Sequence, residues 1–168
     1  MPLCIDGMDF HIIEPTPFLA KWFSHKLNHA SLRYEVGIAI HMGWIVWING
    51  PFPCGKWSNL HIMRESIIYS LDHSEFLMGD WGYMDNNNFT ITPTGERGIV
   101  NIMHSRSQAR HETCNGHFKT WGILRQVFRH NLLKHGACFR AMANIIQLSI
   151  QNGEPFFSVK YGEWIQSN

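Results

Sequence analysis

Residues 101–130 form the longest stretch of the chain that has the pattern of one element, a single helix. Four apolar residues recur within it at close to helical spacing: Cys114, Phe118, Trp121 and Phe128. This spacing predicts a face packed on a core. Glu112 is the one carboxylate of the stretch, and counting by three and four places Asn115 and Gly116 on its side. We expect this polar face to point toward solvent.

Gly116 costs roughly 1 kcal/mol in a helix interior relative to alanine. Close approach of a bulky ligand to the Glu112 face would explain that cost. The alternative is an ordinary solvated helix face that tolerates a glycine.

Length and composition limit which classes of protein this chain can belong to. A chain of 168 residues with 45% hydrophobic and 16% charged residues is enough for one globular domain with a full core. The net charge of +1 gives no general basicity that would indicate nucleic acid. Four widely spaced cysteines and the lack of a long apolar run predict reduced thiols in a soluble intracellular protein.

The first half of the chain predicts a strand, a hairpin and a helix. Residues 3–13 form an apolar run on both sides of Asp6, which predicts a strand inside a sheet. A hairpin follows, with strands Arg33–Ile40 and Trp44–Ile48. The glycines and prolines of residues 49–57 are expected to stop the sheet, and Ser58 or Asn59 to cap the next helix.

The second half predicts a strand over residues 73–83 that ends at Asp80, a short strand at 89–92, the long helix, and a last helix over 137–151. This order indicates an α/β protein with a mixed sheet and flanking helices. A right-handed crossover from the hairpin would place the first and fourth main strands side by side. Asp6 and Asp80 would then become neighbours.

Three acidic residues on separate elements fit the chemistry of phosphodiester cleavage: Asp6, Asp80 and Glu112. That chemistry activates one oxygen and stabilises another, and two divalent ions roughly 3.5–4 Å apart do both. Magnesium prefers hard oxygen ligands and keeps several waters, so a few carboxylates suffice. Two structural alternatives stay open. Asp80 between Gly79 and Gly82 could only close a turn, and Asp6 before Gly7 could only mark a β-bulge.

Four motifs, in matching order, carry a resemblance to a known family: CIDG (4–7), GWIVWINGPFPCGKWSNLHIMRES (43–66), GDWGY (79–83) and RHETCNGHFKTWGILRQVFRH (110–130). Together they resemble the DDE superfamily endonuclease domain. More narrowly, they resemble the transposase-derived nucleases of Harbinger type, which have a ribonuclease-H-like fold. The resemblance covers about residues 3–161 and implies a single nuclease core over residues 1–168.

The resemblance implies cleavage or strand transfer on DNA with Mg²⁺ or Mn²⁺, in the nucleus. Carried over position by position, the catalytic and metal-binding acids are Asp6, Asp80 and Glu112. Such transposases usually have an N-terminal helical DNA-binding region, whereas this chain starts almost at the first catalytic strand. A separate DNA-binding partner protein is therefore an expectation, and so is a fragment or a degenerate copy.

One departure bears on activity. The family usually has an aspartate at the helix entry where this chain has Asn59, which weakens a direct metal role at that position. The alternative function is therefore a catalytically inactive, domesticated relative that acts as a DNA- or protein-binding module.

The remaining candidates are surface cations, tryptophans and histidines. Lys119, Arg110 and Arg106 are expected to bind DNA phosphates, with plain solvation as the alternative. Two tryptophans could stack on an unpaired base or simply pack in the core: Trp57 and Trp81. Residues 111–117 invite a zinc site, but the string is not H-E-x-x-H, so structural histidines are expected.

Overall fold

The computed structural model describes residues 3–72, 75–84, 90–93 and 99–156. The strands are β1 (Leu3–His11), β2 (Phe23–Ser24), β3 (His29–Ala39), β4 (Ile45–Pro53), β5 (Leu77–Met78) and β6 (Thr90–Ile91). The helices are α1 (Asn59–Arg64), α2 (Ile99–Thr120), α3 (Gly122–Arg125) and α4 (His135–Gln151). Short 3-10 turns lie at Ala20–Trp22, Ile67–Ser70, Trp81–Tyr83 and Leu132–Lys134.

The sheet is mixed and β1 lies inside it. Its strand order is β2-β3-β1-β5-β6, and β4 also pairs with β3. β1 runs antiparallel to β3 and parallel to β5, and β6 runs parallel to β5. The predicted α/β class with a ribonuclease-H-like mixed sheet and flanking helices is confirmed, as is the pairing of the first and fourth main strands.

Both faces of the sheet are covered, which explains why β1 is buried along almost its whole length. On one face α2 and α4 pack on a large aromatic and aliphatic core that includes Phe10, Tyr34, Phe118 and Phe139. On the other face the segment from α1 onward packs on a smaller core: Ile5, Met63, Ile67, Leu77 and Tyr83. Asp6 therefore sits in a strand that has protein above and below it.

The hairpin of β3 and β4 is confirmed, with Gly43 in its turn at a φ of 70° that favours glycine. The prediction that residues 49–57 stop the sheet is wrong, because β4 continues through Pro51 to Pro53. Proline cannot donate a ladder hydrogen bond. It is tolerated here because β4 pairs with β3 alone among the described strands.

The prediction of one helix over residues 101–130 is wrong at its end. α2 stops at Thr120, Trp121 has an extended backbone, and α3 adds one more turn. Leaving the helix lets Phe128 reach the end of β1, where its N–H donates to the His11 carbonyl at 2.9 Å. Cys114, Phe118 and Phe128 are buried as predicted, and Trp121 is partly buried.

Ser58, one of the two predicted caps, caps α1, since its Oγ accepts from the His61 N–H at 3.2 Å, and Asn59 is the first helical residue. β5 is only two residues long, so Asp80 lies beyond the strand instead of at its end. The other residues predicted as strand around it, 73–74 and 89, lie outside the described residues. Within the described part of the chain, no helix is both long and apolar enough to cross a bilayer.

Candidate functional site

The register of β1 and β5 brings Asp6 and Asp80 to one place. Leu3 pairs with Leu77 and Cys4 with Met78. Asp6 and Asp80 each follow two residues after the last of these pairs. Neighbouring strands lie about 4.8 Å apart. Burial raises the pKa of the Cys4 thiol, and the charges of both aspartates raise it further, so both carboxylates act on the same neighbour.

Asp6 is almost fully buried, at 5% exposed, and is held by two hydrogen bonds. Its Oδ1 accepts from the Gly7 N–H at 2.7 Å, and its Oδ2 accepts from the Asn115 Nδ2 at 2.9 Å. His111 fixes this part of α2, because its Nε2 lies 2.9 Å from the Val36 carbonyl of β3. The Asp6 carboxylate is thus oriented by a helix docked across the sheet, and Asp6 does more than mark a bulge.

Asp80 is partly exposed and caps the 3-10 turn that follows it. Its Oδ1 accepts from the Gly82 N–H at 2.8 Å. Tyr83, at the end of the turn, is fully buried in the smaller core and anchors the turn to the sheet. The turn-closing alternative therefore describes a real contact, and that contact holds the carboxylate in a fixed orientation next to β1.

Asn59 lies between the two aspartate segments. Its side-chain amide contacts Gly7 so closely that a Cβ at Gly7 would overlap it, and its Nδ2 lies 3.5 Å from where a Cβ of Gly82 would stand. Its Oδ1 is buried and has no hydrogen-bond partner among the described residues. An amide oxygen is a ligand for hard divalent cations. The carboxylates of Asp6 and Asp80 and the amide oxygen of Asn59 are the types of oxygen ligand that Mg²⁺ or Mn²⁺ prefers.

Glu112 is exposed on α2, as the sequence predicted. It precedes Asn115 by three residues, which is roughly 60° around the helix axis. Glu112 therefore lies on the exposed side of α2, one helical turn before the residue that donates to Asp6. Within residues 3–72, 75–84, 90–93 and 99–156, no group of three or more His, Cys, Asp or Glu side chains could hold a metal. The structure brings two of the predicted acids to neighbouring segments and places the third, Glu112, on the exposed side of α2.

The three predicted DNA-binding cations occupy different environments. Lys119 is exposed and follows Glu112 by two turns on the same side of α2. Arg106 is also exposed but lies roughly 140° around the axis from Lys119. Arg110 is 3% exposed, with its Nη1 3.1 Å from where a Cβ of Gly43 would stand, so it lies inside the protein instead of on a surface that DNA could reach.

Asn115 is buried, although its helical spacing from Glu112 predicted the solvent face. Its side chain is 5% exposed and donates to Asp6, a role that was not predicted. The available signal was its position next to Cys114 and one turn before Phe118, which are both core residues. A polar side chain at core spacing needs a buried partner, and Asp6 is that partner. His111 is buried and bound to backbone, which agrees with a structural histidine.

Another buried carboxylate, Glu35 on β3, was not predicted from the sequence either. Glu35 pairs with Gly7 across β3 and β1, is fully buried, and its Oε2 accepts from the Trp47 Nε1 at 3.0 Å. Burial raises the pKa of Glu35 to about 7. Burial also raises the pKa of the neighbouring Tyr83 hydroxyl, and the charges of Glu35 and the two site aspartates raise it further.

Comparison with protein families gives one match, to the family described as DDE superfamily endonuclease, over residues 5–149. Comparison with curated proteins and with solved structures gives no match. The matched range contains Asp6, Asn59, Asp80 and Glu112 and covers most of the chain. On this match, and with the mixed α/β sheet that the structure shows, the chain belongs to the DDE superfamily endonucleases.

Proposed function

We propose that this chain is the core of a divalent-metal-dependent, transposase-like DNA endonuclease in which Asp6 and Asp80 hold the metal. The observation that carries the proposal is the position of these two carboxylates, Asp6 on β1 and Asp80 just beyond the neighbouring parallel strand β5. The buried Asn59 Oδ1, which has no hydrogen-bond partner among the described residues, lies near both segments. Membership of the DDE superfamily endonucleases supports it.

Mg²⁺ or Mn²⁺ would polarise the phosphate and lower the pKa of the attacking water. The residues around it have defined tasks. Asn115 donates a hydrogen bond to Asp6 and holds its carboxylate toward α2. The Gly82 N–H donates to Asp80 and holds that carboxylate toward the 3-10 turn. Since both contacts are formed without DNA, the two carboxylates need little reorganisation to bind a cation.

Glu112 is the third acid of the proposal. Its exposed side chain sits one helical turn from Asn115, with Lys119 two turns farther along the same side. Glu112 completes the metal site when DNA and metal are present, and Lys119 contacts the DNA backbone. Membership of this family points to DNA as the substrate, and we extend this to nuclear residence and a separate DNA-binding partner protein.

The alternative is an inactive relative that serves as a binding module. Two observations favour it: Asn59 has no charge where related nucleases have an aspartate, and Glu112 stands outside the Asp6 and Asp80 pair.

Titration of Mn²⁺ by calorimetry separates the two functions. We expect the wild-type chain to bind Mn²⁺ and Asp6→Asn to lose at least about 10-fold in affinity, because one of few oxygen ligands loses its charge. Asp72→Asn is the matched control, since Asp72 is exposed in the segment leading to β5 and should leave binding unchanged. Absence of Mn²⁺ binding in the wild-type chain would reject the enzyme in favour of the module.

A further inference from the structure

Trp81 directly follows Asp80 and is 57% exposed, the largest exposed fraction of any tryptophan in the described residues. Met84, three residues on, is 50% exposed. Met84 directly follows the turn, and its N–H donates to the Trp81 carbonyl at 3.3 Å, so these two exposed residues lie at the two ends of one turn. An apolar surface of this kind beside two carboxylates is not explained by packing, because the indole leaves most of its area in water.

The backbone that carries Trp81 is fixed at both ends. Asp80 caps the turn through Gly82, and the Tyr83 N–H donates to the Asp80 carbonyl at 3.0 Å. Tyr83 is fully buried, and its carbonyl accepts from the Thr90 Oγ1 at 2.9 Å. A rigid aromatic side chain loses little conformational entropy when it binds, which suits a contact residue.

The flat apolar ring of Trp81 limits the class of ligand that it can bind. A phosphate would need cations or N–H donors, whereas the ring offers a flat apolar face. A nucleobase that has left its stack offers a matching face, and stacking on an aromatic side chain is the usual way to hold one. In an intact duplex that face is covered by the next base pair, so the ligand must be an unpaired base.

We propose that Trp81, with Met84 beside it, is the stacking platform for an unpaired DNA base next to the phosphodiester that a metal bound by Asp6 and Asp80 would hold. The inference rests on the proposed nuclease function and adds to it a preference for locally unpaired DNA. Trp81 is then a residue that positions the substrate and selects its structure.

The test compares a fully paired DNA duplex with the same duplex that has a short central bubble of unpaired thymines. Fluorescence anisotropy, with Ca²⁺ as the divalent cation in place of Mn²⁺, gives the affinity of each. We expect the wild-type chain to prefer the bubble by about 10-fold and Trp81→Ala to lose this preference, with Trp81→Phe retaining most of it. Trp44→Ala is the matched control, because Trp44 is 38% exposed beside β4 at the far side of β3 and should change nothing.

A second readout reports the stacking contact itself. When the bubble thymines are replaced by 5-iodouracil, irradiation should crosslink the DNA to Trp81, as located by mass spectrometry. Equal affinity of the wild-type chain for bubble and duplex overturns the inference, and so does an unchanged bubble preference in Trp81→Ala.

Plasmid nicking with Mn²⁺, run in parallel, separates this inference from the proposed function. If the wild-type chain nicks while Trp81→Ala keeps the bubble preference, only the stacking platform fails. If a bubble preference that depends on Trp81 appears without any nicking, only the nuclease function fails.

Discussion

Asn59 is the residue at which the resemblance to the DDE nucleases predicts an aspartate, which differs from asparagine in one side-chain group. Its buried Oδ1 has no partner among the described residues and lies against Gly7, next to Asp6. An Asn59→Asp substitution keeps the shape and adds a negative charge where a cation would sit. We expect it to raise the affinity for Mn²⁺ by about 10-fold or more, measured by calorimetry.

The contrary result is equally clear. If a cation does not bind next to Asn59, the new carboxylate adds only repulsion with Asp6, and Asn59→Asp should lower stability without tightening Mn²⁺ binding. Urea denaturation of the metal-free variant measures that cost and serves as the control.

Glu35 predicts a dependence of stability on pH. Its pKa is raised from 4.5 to about 7 in the folded chain by burial, so the folded state holds a proton that the unfolded state releases. Stability therefore falls as the pH rises from about 4.5 to 7 and stays lower above that range. We expect Glu35→Gln, which can still accept from Trp47, to be more stable than wild type at pH 8 by about 3 kcal/mol.

Wild type and Glu35→Gln must be compared at each pH, because another buried group, His135, changes the stability with pH in the opposite direction. Burial lowers the pKa of His135 to about 4, so its contribution to stability is lost as the pH falls below its ordinary value of 6.5. Both chains carry His135, and the difference between their urea denaturation curves isolates Glu35. A difference that does not change between pH 5 and pH 8 would contradict a protonated Glu35 in the folded chain.

Residues 58 and 59 also show how far sequence could go at this scale. The capping preference named Ser58 or Asn59, and either would start a helix. The choice depends on Gly7, across the sheet, whose missing side chain leaves room for the Asn59 amide. Contacts of this kind join positions far apart in the sequence, so local propensity could not decide between them.

At the scale of single elements, α1 matters because it carries Asn59 into the site. Ser58 is exposed, and its cap satisfies the His61 N–H at the first turn. We expect Ser58→Ala to lower the free energy of unfolding by about 1 kcal/mol, measured by urea denaturation. Ser70→Ala, at the exposed end of a 3-10 turn, is the control and should stay within about 0.5 kcal/mol of wild type. Equal effects would contradict the cap.

Helices and strands were predictable where the periodicity of apolar residues sets the structure. They were less predictable where contacts with other elements set it. The hairpin of β3 and β4 and the core face of α2 followed from alternation and helical spacing. The end of α2 did not, because Phe128 leaves the helix to pair with Ile12, the residue just after β1. The prolines of β4 led to the wrong prediction that the sheet stops there, for the same reason. Only the sheet order shows that β4 is an edge strand among the described strands.

At the scale of the whole molecule, the part of the site that sequence could predict is the part that topology dictates. A right-handed crossover places β5 beside β1, and this alone brings Asp6 and Asp80 together. The position of Glu112 depends on how α2 rotates about its axis, which is set by His111, Asn115 and Phe118 against the sheet. Periodicity defined the face of the helix but could not give the distance from that face to the aspartates.

The central claim is that Asp80, together with Asp6 on the next strand and Glu112 on the exposed side of α2, cuts DNA with a divalent metal. Nicking of supercoiled plasmid in Mn²⁺ tests it with Asp80→Asn, which keeps the oxygen that caps the turn, and Glu112→Gln. Two exposed acids serve as controls that should nick like wild type: Asp72→Asn and Glu14→Gln. The account predicts that Asp80→Asn and Glu112→Gln each lose at least about 100-fold in nicking rate while both chains stay folded. Retained nicking in both variants would contradict it.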